Sequence, residues 1–446
     1  MSIGKIFSKE NSIFSVGTKI VIFSMALDFF AWGLIDPFFS TYAASLLNNL
    51  FLVGLLVATK GFVGLLSLSP LSQTIHHISP RFVGIMGRIG CVFAVLSYAA
   101  GGFLTLPLLL FVGAIFHGFS GAARDIATRE YLMESSSKNN ASTILGTNFS
   151  VFNTAWMTGS ILCGVLLMWC IHTFAQDIPH FVPFVLLACI PIFLASAFLL
   201  RKLPKKTGTR FPFAAYAPQN VYQNEKKIFL LFSALNLQLK FSVVLICFLQ
   251  MIRSALLLFL PLLAFQLELS VFQVGLLMAA MHAPLLLSAL FSVFEDRTDR
   301  MLFIIGGLLF SVIPLLLLSQ VSAPLLIGIS TVLTSLSLAI IMPANLGTIA
   351  ANTKHSDAPL MAALQVMSQR FGMLFGSLII GTVSQIFGIA SAFLLIAFLA
   401  ISFALFALFV RFHFQVEKKV VLEKNHLFHI HPLHPHLFHI HHQSSQ

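Results

Sequence analysis

Twelve stretches of this chain are long and apolar enough to cross a bilayer as helices, with only short polar breaks between most of them. They are residues 18–47, 50–71, 82–102, 106–128, 143–172, 181–200, 241–265, 271–294, 301–320, 323–350, 358–386 and 388–411. A spanning helix needs roughly 20 apolar residues. Membrane-crossing strands would instead be about ten residues long and alternate in polarity, which these runs do not. Composition agrees: 58% of residues are hydrophobic and only 9% charged, where soluble domains carry about a quarter. The expected fold class is an all-α polytopic membrane protein with 12 transmembrane helices.

The net charge of +11 is arranged by side. Lys and Arg fall at Lys5, Lys9 and Lys19, then in every second connection: Arg81; Arg124, Arg129 and Lys138; 201–227; Arg297 and Arg300; Lys354; and the tail. The intervening connections, near 48–49, 103–105, 173–180, 266–270, 321–322 and 387, have neither, and only Asp177 and Glu268 charge them. By the positive-inside rule both termini are cytoplasmic, and only an even number of crossings keeps that alternation. The basic charge therefore reads as membrane orientation, not nucleic-acid binding. The expected location is the plasma membrane, or the inner membrane in a bacterium, with the lipid bilayer as first partner. The first run is too long for a signal-peptide core and is expected to remain as a helix. Cys91, Cys163, Cys170, Cys189 and Cys247 lie within runs and read as packing residues. No phosphate-binding GxxxxGK[ST] loop occurs, and no nucleophile–base pair suggests catalysis. An enzyme is not expected, nor is any cofactor.

Between the sixth and seventh runs lies RKLPKKTGTRFPFAAYAPQNVYQNEKK (201–227), basic and rich in Pro and Tyr. It suggests an N-terminal segment (1–17), a six-helix bundle (18–200), a basic central loop (201–240), a second bundle (241–411) and a tail (412–446). The two bundles echo each other. Leu-Val-Gly-Leu-Leu at 52–56 returns as Gln-Val-Gly-Leu-Leu at 273–277, shifted by 221 from Val53 to Val274. Gly159, Ser160 and Gly164 return as Gly376, Ser377 and Gly381, shifted by 217, which also aligns 140–142 with 357–359. Pro37 matches Pro261 at a shift of 224. Four shifts so close to half the chain point to an internal duplication.

Two pseudo-symmetric six-helix bundles, a basic central loop and cytoplasmic termini resemble the major facilitator superfamily of secondary transporters, over about residues 15–411. Phe-Glu-Asp-Arg-Thr-Asp-Arg (294–300) is similar to that family's D-R-x-[GD]-R loop, matched by Asp296, Arg297, Asp299 and Arg300. The first-half copy at 70–83 keeps the frame but has Gln73 and Thr74 in place of Asp and Arg. The R-x-x-Q-G motif keeps Gly118, with Ala114 and His117 at its other positions, and the antiporter G-x-x-x-G-P is broken by Val165. The resemblance implies a midplane site between the halves, opened alternately to each side, in a monomer that moves a small-molecule solute. It also implies that charge pairs in the 294–300 loop close the cytoplasmic side. The glycines would let the fifth and eleventh helices pack closely or slide.

Ionisable residues inside the runs are then functional candidates. Asp28, Trp32 and Asp36 follow at i, i+4 and i+8 in MALDFFAWGLIDPFF, sharing one broad face, with the carboxylates about 12 Å apart along the axis. Lys60, Arg253 and Arg370 are bases inside the second, seventh and eleventh runs. The shift of 224 sets Arg253 opposite Phe29, so an Asp28–Arg253 pair across the cavity is expected, with Asp36–Lys60 as a second pair and Trp32 as a stacking wall. Arg88 is expected to snorkel to the surface. Three bases against two acids favour a solute with an anionic group, and the planar fork of Arg370 is the first choice to grip it. A carboxylate in a partly desolvated cavity can exchange protons, making protons the expected coupling ion. Permanent structural ion pairs are the opposing reading. His117 and His282 read either as proton relays or as packing residues. Arg124, Asp125 and Arg129 form either a stabilised helix end or an inner gate facing the region of Lys354.

The tail NHLFHIHPLHPHLFHIHHQ concentrates His426, His429, His431, His434, His436, His439, His441 and His442. Such a density of imidazoles offers ligands to a divalent metal, or it is a low-complexity expansion. The leading expectation is a proton-coupled, alternating-access transporter of a small anionic or zwitterionic solute. Transport of a metal ion or a siderophore-like polycarboxylate chelate is the alternative, and a non-transporting sensor or assembly factor is the third reading.

Overall fold

The computed structural model describes residues 14–77, 79–134, 141–174, 178–204, 218–295, 299–320, 323–353 and 358–429, and among them regular structure is helical. The first half comprises α1 (Val16–Leu47), α2 (Leu50–His77), α3 (Pro80–Phe103), α4 (Leu108–Glu134), α5 (Ala141–Phe174), α6 (Ile178–Ala188) and α7 (Ile190–Leu200). Then comes α8 (Pro218–Ala234). The second half comprises α9 (Leu237–Gln266), α10 (Val271–His282), α11 (Ser288–Glu295), α12 (Arg300–Leu318), α13 (Pro324–Asn352), α14 (Ala358–Phe387) and α15 (Ile389–His429).

Two of the expected crossings are broken. The α6–α7 break falls just before Pro191, which sits in the first turn of α7, and a 3-10 turn at Ala283–Leu287, containing Pro284, joins α10 to α11. Proline removes an N–H and clashes with the preceding turn, so each pair continues one crossing. Among the described residues, 11 crossings meet the length and apolarity of a membrane span. The remaining traverse is α4, whose final turns carry Arg124, Asp125, Arg129 and Glu130. Side-chain caps fix several helix starts: Ser15 accepts from the Thr18 amide at 3.0 Å, and Ser270 and Gln273 form a reciprocal capping box on α10.

The duplicated glycine motifs are where the two halves meet. α2 packs on α14, and α5 on α10. A Cβ placed on Gly54 would stand 2.5 Å from the Ser377 carbonyl oxygen and 3.0 Å from the Gly381 Cα. One on Gly275 would stand 2.8 Å from the Ser160 carbonyl oxygen and 2.9 Å from the Gly164 Cα. Thus each Val-Gly-Leu-Leu copy docks on the Gly-Ser-x-x-x-Gly copy of the other half. The fifth and eleventh crossings do not slide on each other; each provides the floor for a helix across the interface. Gly54 and Gly275 lie in the second turns of α2 and α10, on the side remote from the chain termini, where the Phe38 and Phe265 rings also approach to 6.2 Å. Backbone contact joins the halves on that side.

The segment read as a central loop contains α8, which touches α2 and α14. Ile228 is buried there in a cluster with α9, α13 and α14, and Phe232, one turn on, packs against it. At the face bearing the termini, Asp299 caps α12 by accepting from the Met301 amide at 3.0 Å and pairs with Arg411 at 2.8 Å. Arg300 donates to the Gly347 carbonyl at 3.1 Å. These contacts bind α12, α13 and α15 within one half. Asp296, Arg297 and Lys354 lie outside the described residues.

Candidate functional site

The two carboxylates of α1 part company because of helix geometry. Eight residues at about 100° each turn Asp36 roughly 80° around the axis from Asp28. Asp28 faces inward to its own half and is fully buried, 3.0 Å from Arg88 and 3.8 Å from Arg124. Arg88 is equally buried and donates to the Ser196 hydroxyl at 3.2 Å and the Gly84 carbonyl at 3.1 Å. Two expectations are therefore corrected: Arg88 does not snorkel, and Asp28 pairs with Arg88, not with Arg253. Trp32 is likewise buried, stacked on His117 with ring centroids 3.9 Å apart and with the Arg124 guanidinium 5.9 Å from its ring. Both Trp32 and His117 pack within the first half, His117 half-buried with its Nδ1 3.4 Å from the Tyr98 hydroxyl.

Asp36 is half-buried and faces the interface. Its charged neighbours are Lys60, Arg253 and Arg124, and the Trp156 side chain lies beside it. Lys60 extends its ammonium over the Phe39 ring at 4.3 Å. Arg253 lies 5.2 Å from the Trp156 ring centroid, and Phe29 lies 5.4 Å from the same ring. The two residues that the repeat equates thus meet on one indole. His282 stacks on Trp156 at 4.4 Å, with its Nδ1 3.1 Å from Asn153 Oδ1.

Trp156 and Asn153 were not among the sequence candidates. Their spacing could have shown them, since Asn153, Trp156, Ser160 and Gly164 recur at three- and four-residue steps on one face of α5.

Arg370 reaches across from α14 to form a salt bridge with Asp125 of α4. Its side chain runs over Gly64 and Gly121, positions where a larger residue would fill the slot. Beside it, Arg129 donates to Gln369 at 3.2 Å. Asp125 and Arg129 therefore bridge the halves, through Arg370 and Gln369, while Arg124 turns inward. In this arrangement Arg370 holds a carboxylate of the protein itself.

Beside Arg253 a narrow cleft opens among α9, α13, α14 and the α10–α11 turn, with about 600 Å³ of empty space when open solvent is counted. Arg253 is its one charged lining residue. Among the charged residues placed above at the contact between the halves or in the cleft, Lys60, Arg129, Arg253 and Arg370 face Asp36 and Asp125, an excess of two positive charges. Among the described residues no three His, Cys, Asp or Glu side chains come together as a metal site. His426 and His429 fall in the last turns of α15, where only the backbone is described. His431, His434, His436, His439, His441 and His442 lie outside the described residues.

The sequence profile of the Major Facilitator Superfamily matches residues 21–283 and again 242–429. The chain belongs to this superfamily. A search of curated proteins gives no match. Among solved structures, the nucleoside transporter NupG (D323A mutant) superposes with a TM-score of 0.63 at 13% identity, covering 88% of this chain and 99% of that one. The human organic anion transporter MFSD10 (TETRAN) gives 0.62 at 15% identity, covering 88% and 98%. At these identities the likeness shows the fold. This superfamily member is thus a multi-pass membrane transporter of a small solute.

Proposed function

We propose that this transporter is a secondary active carrier of a small anionic or zwitterionic solute, working by alternating access and coupled to protons through Asp36. The observation that carries the reading is the excess of positive charge around a cleft whose one charged lining residue is Arg253. Uncompensated charge away from water is costly, and a solute anion relieves it.

Asp36 and the solute compete for the same bases. Ionised, Asp36 draws on Lys60 and Arg253; protonated, it releases Arg253 to the solute. Binding of the anion and binding of the proton then favour each other, which is the requirement for coupling. Alternation follows from the two kinds of contact between the halves. The glycine interlocks close the face remote from the termini, while the Arg370–Asp125 and Arg129–Gln369 bridges tie α4 to α14 on the other side of the cleft. By the distribution of Lys and Arg, the face bearing the termini is cytoplasmic.

Proton uptake into proteoliposomes, recorded on addition of carboxylates, phosphates, amino acids, cationic drugs and free or chelated metals, tests this reading. A pH response to an anionic class, abolished by Asp36→Asn, is expected. A response confined to cations, or one unaffected by Asp36→Asn, overturns it.

A further inference from the structure

Resting on that reading, the cleft itself specifies more than an anion. Arg253 and Ser335 stand at one end of it. Asn345, on α13, donates to the Ser242 carbonyl of α9 at 2.9 Å, which sets the register of these two antiparallel helices. Ten residues back along α13 lies Ser335, and eleven residues forward along α9 lies Arg253, so the two are level, roughly 15 Å deeper than Asn345. Leu249, Leu256, Met281, Leu338 and Met342 line the cleft alongside them, and Gln250 and Gln369 add polar groups to its lining.

Two polar groups on this wall are unspent. The Ser335 hydroxyl and the Asn345 Oδ1 are buried, with residue exposures of 0% and 1%, and neither has a hydrogen-bond partner. Buried polar atoms are normally satisfied, so each keeps hydrogen-bonding capacity that the protein leaves unused. No carboxylate lines the cleft, and the nearby Asp36 is shared between Lys60 and Arg253, so an ammonium group held there would have no carboxylate of its own.

We infer that the solute is an amphipathic organic monoanion: an acid group held by Arg253 and Ser335, and an apolar body lying against the Leu and Met wall toward Asn345. A zwitterion, a compact hydrophilic anion and a dianion all fit this lining less well.

The test is equilibrium binding to the purified full-length protein, read by quenching of tryptophan fluorescence, since Trp156 adjoins Arg253. The probes are acetate, hexanoate, octanoate and decanoate, with octanamide as the neutral control for partitioning, 2-aminooctanoate as the zwitterion, and gluconate and succinate as hydrophilic acids. Affinity is expected to rise about fourfold per added methylene until the body fills the apolar stretch. Octanoate is expected to bind at least tenfold more tightly than octanamide or 2-aminooctanoate.

Arg253→Gln should erase the preference for octanoate over octanamide. Leu338→Phe, which narrows the apolar stretch, should move the optimum to shorter acids, so that hexanoate overtakes octanoate. Equal binding of acetate and octanoate, or a preference for 2-aminooctanoate, overturns the inference. Binding of gluconate or succinate in preference to octanoate overturns it while leaving the anion-transport reading intact. Failure of every acid to bind overturns both.

Discussion

Gly54→Ala and Gly275→Ala should each drive the protein out of the arrangement seen here, by opening the face remote from the termini. A Cβ at Gly275 stands 2.8 Å from a carbonyl oxygen and 2.9 Å from a Cα, and one at Gly54 stands 2.5 and 3.0 Å from their counterparts, where ordinary contact begins at 3.4 Å. The obstructing atoms are backbone within packed helices, so the halves must separate by roughly half an ångström or more. Overpacking of this kind costs about 1–3 kcal/mol. That penalty falls only on the state in which the interlock is closed, and so shifts the conformational equilibrium about 5- to 150-fold. The two sites lie on different helix pairs and should act nearly additively. The assay is the labelling rate of Phe38→Cys, in a background with the five native cysteines replaced, by a membrane-impermeant maleimide applied from the remote face. Phe38 is 1% exposed here, so labelling reports opening. Gly275→Ala should accelerate it, and the double variant more than either single one. An unchanged or slower rate in a correctly inserted variant would refute the claim that backbone contact at these glycines closes that face.

Other consequences follow from the charges. Asp125→Asn removes a cross-half pair whose side chains are 10% and 31% exposed. This should cost about 1–2 kcal/mol and raise cysteine accessibility of the cleft from the face bearing the termini, with Asp125→Arg/Arg370→Asp restoring part of the closure. Asp36→Asn should retain solute counterflow but lose uphill accumulation driven by a proton gradient; loss of both would assign Asp36 to binding instead. Asp28→Asn leaves Arg88 buried beside Arg124 without a counter-charge, so the melting temperature in detergent should fall by the equivalent of about 3–5 kcal/mol. Arg88→Met added to Asp28→Asn should recover part of that loss, and no recovery would show that Arg88 is stabilised by its neutral partners alone.

The helices were legible because the bilayer imposes a length and a polarity on each crossing. Most segment boundaries that apolarity sets fall within a few residues of the observed helix ends, but α2 and α4 each run six residues further, to His77 and Glu134, and α15 continues from the expected end at 411 to His429. What apolarity could not show was α8, whose buried contact rests on Ile228 and Phe232 after a basic, polar beginning. The charged residues were found as a set, yet their pairing was not. Side-chain direction changes by about 100° per residue, and treating i and i+8 as one face put Asp28 in the cavity when Asp36 alone turns toward it. Arg88 was misplaced because depth in the sequence says nothing about whether Asp28 and Ser196 are waiting beside it. Trp156 went unnoticed because an aromatic residue in an apolar run gives no contrast until its neighbours on other helices are known.

The duplication explains one part of this molecule and not another. Where the halves touch, both copies hold glycine at the same places, because each contact brings one helix backbone against another and neither side tolerates a side chain. Charge faces no such symmetric requirement. Asp28, Arg88 and Arg124 form a buried group in the first half, whereas the second half contributes Arg253 to the cleft and Arg370 to the opposite half. Phe29 and Arg253 occupy equivalent positions and meet on the same Trp156 ring, one as an apolar neighbour and the other as a cation. A symmetric pair of arginines there would crowd two like charges around one indole, and a symmetric pair of phenylalanines would leave the cleft without its charged lining residue. Contact between the halves needs them to match at the glycines, while the solute site proposed here depends on their difference at this one pair.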